Sequence, residues 1–230
     1  MATDKGWAPA DREAPFVGRE VELDGLSAIL RQALRGRPRV AVICGEMGVG
    51  KSRLTREFTS IADRLDVRVV HGRATEDASI PYQPFMAVLR AVAGLPAPSA
   101  ARGLDAAHLL SSLPGAALPS TSTEPRSARH GEPERLRIFL SVIQEVISLA
   151  QAEPTLIVLD DLHWADASSL ELFEHLAFAA TDAAGRERLP LMILASHRPV
   201  EERHRLRRLL DRIAREAVSD TFVLEGLAAD

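Results

Sequence analysis

The chain has 230 residues, 46% apolar and 26% charged, which excludes wholesale disorder and fibrous architecture and leaves room for one sizeable core. With 28 basic against 32 acidic side chains the formal charge is −4, so composition gives nucleic acid no electrostatic hold and any such contact must be local. The single cysteine, Cys44, excludes an intramolecular disulfide and a cysteine-based zinc site; lying in an apolar run, it points to a reducing compartment.

Residues 1–15 are polar and proline-bearing, without an apolar signal core, and are expected to be a flexible segment. No stretch approaches 18 uninterrupted apolar residues, so the expectation is a cytoplasmic protein with no membrane partner. From position 16 onward, strand-like apolar runs alternate with helical patterns, the sequence form of βαβ units around a parallel sheet. Five strands are expected, at Arg39–Cys44, Val67–His71, Thr155–Asp160, Leu191–Ser196 and Thr221–Leu224. The near-continuous apolar character of Leu156–Leu159 suits a strand buried on both faces. Helical spacings fall at Val21–Leu34, Lys51–Arg64, Pro84–Val92, Glu134–Ala150, Ser168–Ala180 and Glu201–Ala217. The fold class read from this order is three-layer α/β, a mostly parallel five-stranded sheet flanked by helices. Residues 93–132 shift to Pro, Ala, Ser, Gly and Thr, with one short helical stretch near Ala106–Leu113, and read as an insertion or loop within a core spanning 16–230.

After the first strand comes Gly45-Glu46-Met47-Gly48-Val49-Gly50-Lys51-Ser52, a complete G-x-x-x-x-G-K-[ST] motif between a strand and a helix. Its glycines free the backbone to turn N–H groups inward as a concave anion site, and the helix that follows adds the partial positive charge of its N-terminus. Only Lys5 and Lys51 among the basic residues are lysines. A compact ammonium at Lys51 suits the β and γ phosphates of ATP or ADP better than the planar fork of arginine. The Ser52 hydroxyl is the first expected Mg²⁺ ligand, and Arg53 ends the expected nucleotide-contacting run.

The third strand ends in Asp160-Asp161-Leu162-His163-Trp164-Ala165-Asp166. A carboxylate at the C-terminal edge of a parallel sheet stands beside the phosphate loop, so Asp160 is expected to hold Mg²⁺ opposite Ser52 through the metal's water shell. Asp161 could orient or deprotonate the attacking water, or serve only as a loop cap. Asp166 reads as the N-cap of the next helix, and His163 as a buried, hydrogen-bonded residue beside Trp164.

Phe16-Val17-Gly18-Arg19-Glu20, GEMGVGKS and LIVLDDLHWAD, in this order and separation, give the chain a resemblance to the nucleotide-binding domain of STAND-class P-loop ATPases. These are related to AAA proteins, and the similarity is greatest to the large ATP-binding, LuxR-type (MalT-like) transcriptional regulators. It spans Phe16 to about Leu227. The resemblance implies slow ATP hydrolysis serving as a switch, places Val17, Gly18 and Arg19 on the adenine and ribose side, and makes Arg198 the cation that senses the γ-phosphate. It also implies partner domains, a helical lid, a winged helix and a DNA-binding module, expected to be absent from this chain, so that DNA binding is not carried over; ATP-dependent self-association is a further expectation. The alternatives are a DNA-loading or remodelling AAA-type ATPase working as a ring and, less favoured, a small-molecule kinase. The five arginines of 201–212 read first as a solvated helix face and next as a contact for an absent domain.

Overall fold

In the computed structural model the described residues are 16–76, 81–92, 132–183, 188–216 and 219–226. The N-terminal segment and all but the last residue of the expected insertion, with its short helix, lie outside them. The strands are β1 (Arg39–Gly45), β2 (Arg68–Arg73), β3 (Thr155–Asp160), β4 (Leu191–His197) and β5 (Ser219–Leu224). The helices are α1 (Glu20–Leu34), α2 (Lys51–Arg64), α3 (Met86–Val92), α4 (Glu132–Ala152), α5 (Ala167–Ala183) and α6 (Arg205–Glu216).

All strand pairs are parallel, in the order β2-β3-β4-β1-β5. The sheet is thus wholly rather than mostly parallel, and its three central strands, β3, β4 and β1, are the near-continuous apolar runs of the sequence. Their side chains alternate between two cores. Ala41, Ile43, Leu156, Val158, Met192 and Leu194 face Leu26 and Leu30 of α1 and Leu54 and Phe58 of α2. Val40, Val42, Ile157, Leu159, Leu191 and Ile193 face α3, α4, α5 and α6 through residues such as Leu89, Val142, Phe173 and Leu209. Each fully buried Leu, Ile or Phe contributes about 1.5–3 kcal/mol.

Two boundaries differ from the sequence reading in ways that shape the site. β2 runs two residues past His71, through Gly72, because its backbone continues to pair with β3 as far as Arg73 opposite Asp160. A side chain at position 72 would lie 1.7 Å from the Pro84 carbonyl oxygen, so the bare backbone is what admits the 3-10 turn Gln83–Phe85 ahead of α3. The last helix begins at Arg205 rather than Glu201, because the chain first makes a turn in which His204 N–H donates to the Glu201 carbonyl. His204 Nδ1 then accepts from Leu206 N–H at 3.1 Å, a side-chain cap for the first turn.

The arginines of this helix are largely committed within the fold. Arg205 pairs with Glu171 and Arg212 with Glu174 at 2.7 Å, clamping α6 to α5, while Arg207 meets Asp211 at 3.3 Å along the helix.

Candidate phosphate-binding site

The C-terminal ends of β1, β3 and β4 lie side by side, and the loops leaving them carry Gly45–Lys51, Asp160–Trp164 and His197–Arg198. The three glycines of the first loop do different work. Gly48 (φ +80°) and Gly50 (φ +105°) hold left-handed backbone with open space around the missing Cβ, whereas Gly45 is needed because a Cβ would lie 2.7 Å from Val49 and 3.0 Å from the Leu224 carbonyl oxygen. The expectation of special backbone freedom thus holds at two of the three. Gly50 caps α2 with no side-chain hydrogen bond, and no acidic residue stands in the first turn, while α1 opens with Glu20 and Glu22. The first N–H groups of α2 are therefore left for an anion.

Lys51 is buried, its Nζ donating to the carbonyls of Gly45 at 2.7 Å and Glu46 at 2.9 Å. An ammonium has three donors, so these two bonds aim the third while bracing the loop. Burial pushes Lys51 below the ordinary lysine value; Asp161 works against that drop and Arg198 adds to it, so both charges reach this ammonium. Ser52 is exposed in the first turn of α2, and Glu46 and Met47 are exposed at the loop tip. Arg53 lies near Glu57, 3.9 Å away on the next helical turn.

Arg19 is buried and tied back to the loop. Its guanidinium donates to the Val49 carbonyl at 3.3 Å, to Glu22 at 2.9 Å and to the Glu225 carbonyl. This directs Arg19 into a strut between the phosphate loop and the end of β5, a role that spacing alone does not reveal. Val17 is exposed, and Gly18 (φ +78°) turns the chain so that its N–H donates to Glu20 at 3.1 Å.

At the acidic end of β3, Asp160 is 8% exposed and accepts from Ser196 Oγ at 2.7 Å and His71 Nε2 at 2.8 Å. Burial raises its pKa, but the bonds from His71 and Ser196 and the charges of His71 and Arg73 outweigh it, so the carboxyl sits below its ordinary range. Asp161 is left-handed (φ +59°) and turns away from Asp160; its N–H donates to Ser196 Oγ at 3.1 Å and its Oδ2 accepts from Arg73 Nε at 3.0 Å. His71, Arg73 and Ser196 are functional candidates that the sequence did not flag. Register explains all three: β2 lies against β3 with Arg73 opposite Asp160, and β4 lies on the other side with Ala195 opposite Leu159.

Asp166 caps α5 as expected, accepting from Ser168 N–H at 2.9 Å and Ser169 N–H at 3.0 Å, and also from Tyr82 N–H at 3.2 Å. His163 rests on Trp164, ring centroids 4.9 Å apart. Its Nδ1 accepts from the Arg198 N–H at 3.4 Å. His197 donates from Nδ1 to the Arg198 carbonyl at 2.6 Å; burial lowers its pKa, partly offset by that bond. Cys44 is the β1 residue just before Gly45, its thiol pushed up by burial against the opposing pull of Lys51 and Arg207.

Open left-handed glycines, uncapped helical N–H groups and a braced, buried lysine fit a polyphosphate. Among the described residues no group of three or more His, Cys, Asp or Glu is placed to hold a metal, so Mg²⁺ at Ser52 and Asp160 would draw most of its oxygens from phosphate and water.

This strand-loop-helix on a parallel sheet defines a P-loop nucleoside-triphosphatase fold. Residues 15–194 match the AAA ATPase domain family; the chain belongs to it, and is a nucleotide-binding ATPase domain. No protein of curated function matches the chain. Among solved structures, Cdc6p from Pyrobaculum aerophilum is similar at 17% identity and TM-score 0.52, over 96% of this chain and 49% of that one. A chain of the HORMA:CdnC:Trip13 complex of E. coli MS115-1 is similar at 12% identity and TM-score 0.49, over 91% of this chain and 63% of that one. The chain thus spans less than two thirds of the length of these structures. Among the described residues no helix is long and apolar enough to cross a membrane.

Proposed function

We propose that this ATPase domain is a MgATP-operated switch with slow turnover, the nucleotide module of a signal-transducing transcriptional regulator. The observation that carries the reading is the engagement of Asp161, the candidate base, by Arg73. A carboxylate oxygen engaged by a guanidinium must give up that partner before it can take a proton from water, which favours a long-lived triphosphate state over rapid cycling. Long occupancy suits an output that is conformational, in which the nucleotide biases loops and partner domains between two arrangements.

In this reading the loop amides from Gly45 to Ser52 and the Lys51 ammonium hold the phosphates, Ser52 and Asp160 hold Mg²⁺, and Val17 and Gly18 lie on the base side. Magnesium would supply charge neutralisation at the phosphate oxygens. Ser196 orients Asp160 and, through the Asp161 N–H, fixes the turn that follows it. Arg198, whose charge is felt at Lys51, would register the terminal phosphate in this reading. Partner domains, ATP-dependent self-association and a cytoplasmic setting belong to the same proposal.

Calorimetry with MgATP tests it. The unmodified chain binds and Lys51→Ala does not, with phosphate release from the unmodified chain slow relative to nucleotide dissociation. Equal binding by the Lys51→Ala variant refutes the site, and rapid multiple turnover refutes the switch.

A further inference from the structure

His163 carries a hydrogen-bond donor for which the domain itself supplies no acceptor among the described residues. The peptide N–H of Arg198 can only donate, so the Nδ1 it meets at 3.4 Å must be the accepting nitrogen of the ring. An imidazole that is neutral with a bare Nδ1 bears its proton on Nε2. That Nε2 is enclosed and has no hydrogen-bond partner among the described residues. An enclosed polar hydrogen without an acceptor is disfavoured, and such groups in folded proteins call for a ligand or an ordered water.

The ring is held in place. Leu162 beside it is fully buried, Trp164 lies against it, and the turn carrying all three follows directly on Asp161. Its electrical surroundings are those of the phosphate loop. Burial, with the charges of Arg198, Lys51 and His197, outweighs the opposing effect of Asp161 and pushes the ring down to about 4, so it stays neutral at physiological pH. A neutral donor among cations is suited to an anionic oxygen.

We propose that His163 is a hydrogen-bond donor to the terminal phosphate of a bound nucleoside triphosphate, Nε2–H serving that oxygen while Nδ1 ties the contact to the backbone of Arg198. This rests on the switch reading above and adds to it a specific residue. The nucleotide state is passed to the link between β4 and α6 through a backbone hydrogen bond, in addition to whatever the Arg198 side chain does. His163 is accordingly a residue that distinguishes triphosphate from diphosphate.

The test compares affinities for Mg²⁺ with a non-hydrolysable ATP analogue and for Mg²⁺ with ADP, by calorimetry, in the unmodified chain, His163→Phe and His163→Gln. Phenylalanine keeps a planar ring against Trp164 but has no donor; glutamine returns an amide N–H. The phenylalanine variant is expected to lose about tenfold or more in affinity for the triphosphate, with ADP affinity unchanged, and glutamine is expected to recover most of it. Equal losses on both nucleotides, or an unchanged ratio of the two affinities, overturn the proposal.

Imidazole ¹⁵N spectra of the unmodified chain supply a second readout that no folding defect can cloud. The Nε2 signal of His163 is expected to move with the triphosphate analogue and not with ADP. A signal that ignores both, or answers both alike, overturns the assignment. Should neither nucleotide bind the unmodified chain, the switch reading falls and takes this one with it; binding with an unmoved Nε2 sinks only the role of His163.

Discussion

Arg73 closes on Asp161 through two nitrogens, Nε at 3.0 Å and one Nη at 2.9 Å, and both meet the same carboxylate oxygen. The pair joins the end of β2 to the residue after β3. Arg73 is 65% exposed, so the bond lies in the range of surface ion pairs, about 0.2–1 kcal/mol, and can be released at little cost. Arg73→Ala is therefore expected to raise the rate of phosphate release by up to about fivefold, the kinetic equivalent of that energy at its upper end, with ATP affinity unchanged. Asp161→Asn is expected to lower the same rate by about 100-fold or more, again sparing affinity. Rapid-quench turnover alongside calorimetry separates these outcomes.

Lys51 meets two loop carbonyls and has one donor left over. A guanidinium cannot repeat that three-way arrangement from the same buried position, so Lys51→Arg is expected to bind ATP no better than Lys51→Ala. Equilibrium binding of a fluorescent ATP analogue gives the comparison directly. Retention of near-parental affinity by the arginine variant would show that charge alone suffices.

Ser196 serves Asp160 and Asp161 at once, accepting from the backbone N–H of Asp161 and donating to the side chain of Asp160. Ser196→Ala leaves a carboxylate that is 8% exposed short of one donor. The loss expected is about 1.5–3 kcal/mol, the range for hydrogen bonds to charged groups. Urea unfolding of the nucleotide-free chain at neutral pH measures it.

His163 makes stability depend on pH in a defined direction. Its pKa falls from 6.5 to about 4 on folding, so between those values the unfolded chain binds more protons than the folded one. Stability then rises with pH across that window and is lost as pH falls through it. Replacing the ring with phenylalanine is expected to flatten the dependence between about pH 4 and pH 6.5, read from thermal midpoints across that range.

Gly72 faces the Pro84 carbonyl at a distance no side chain survives. Since the obstacle is backbone, Gly72→Ala must displace either β2 or the turn at Gln83–Phe85. A cost of about 3 kcal/mol, at the upper end of ordinary overpacking, is expected by denaturant unfolding. Gly48→Ala meets open space instead and should cost only the left-handed backbone penalty, about 1–2 kcal/mol.

The parts of the site that adjoin one another along the chain are legible in the sequence. The phosphate loop, the carboxylates after β3 and the Asp166 cap each lie within a few residues of the strand or helix that positions them. His71 and Arg73 are not legible that way, because their partners Asp160 and Asp161 are 89 and 88 residues further on, and only the placement of β2 beside β3 brings them together. The hint is two polar side chains at alternating positions, 71 and 73, at the end of the strand after Val69 and Val70. Ser196 reads as the end of a buried strand, and Arg19 as part of an extended turn, because a hydroxyl or a guanidinium does not announce which carbonyl or carboxylate it will meet. Gly45 shares a motif with Gly48 and Gly50, yet its need is for space rather than for backbone freedom.

The close approach of Trp164 and His163 gives the domain a built-in optical gauge. The chain has two tryptophans, Trp7 and Trp164, so a Trp7→Phe chain carries its only indole against the imidazole. Emission from such an indole depends on what its neighbour does with its protons and polarity, which allows nucleotide arrival and departure to be followed in real time without attaching any dye.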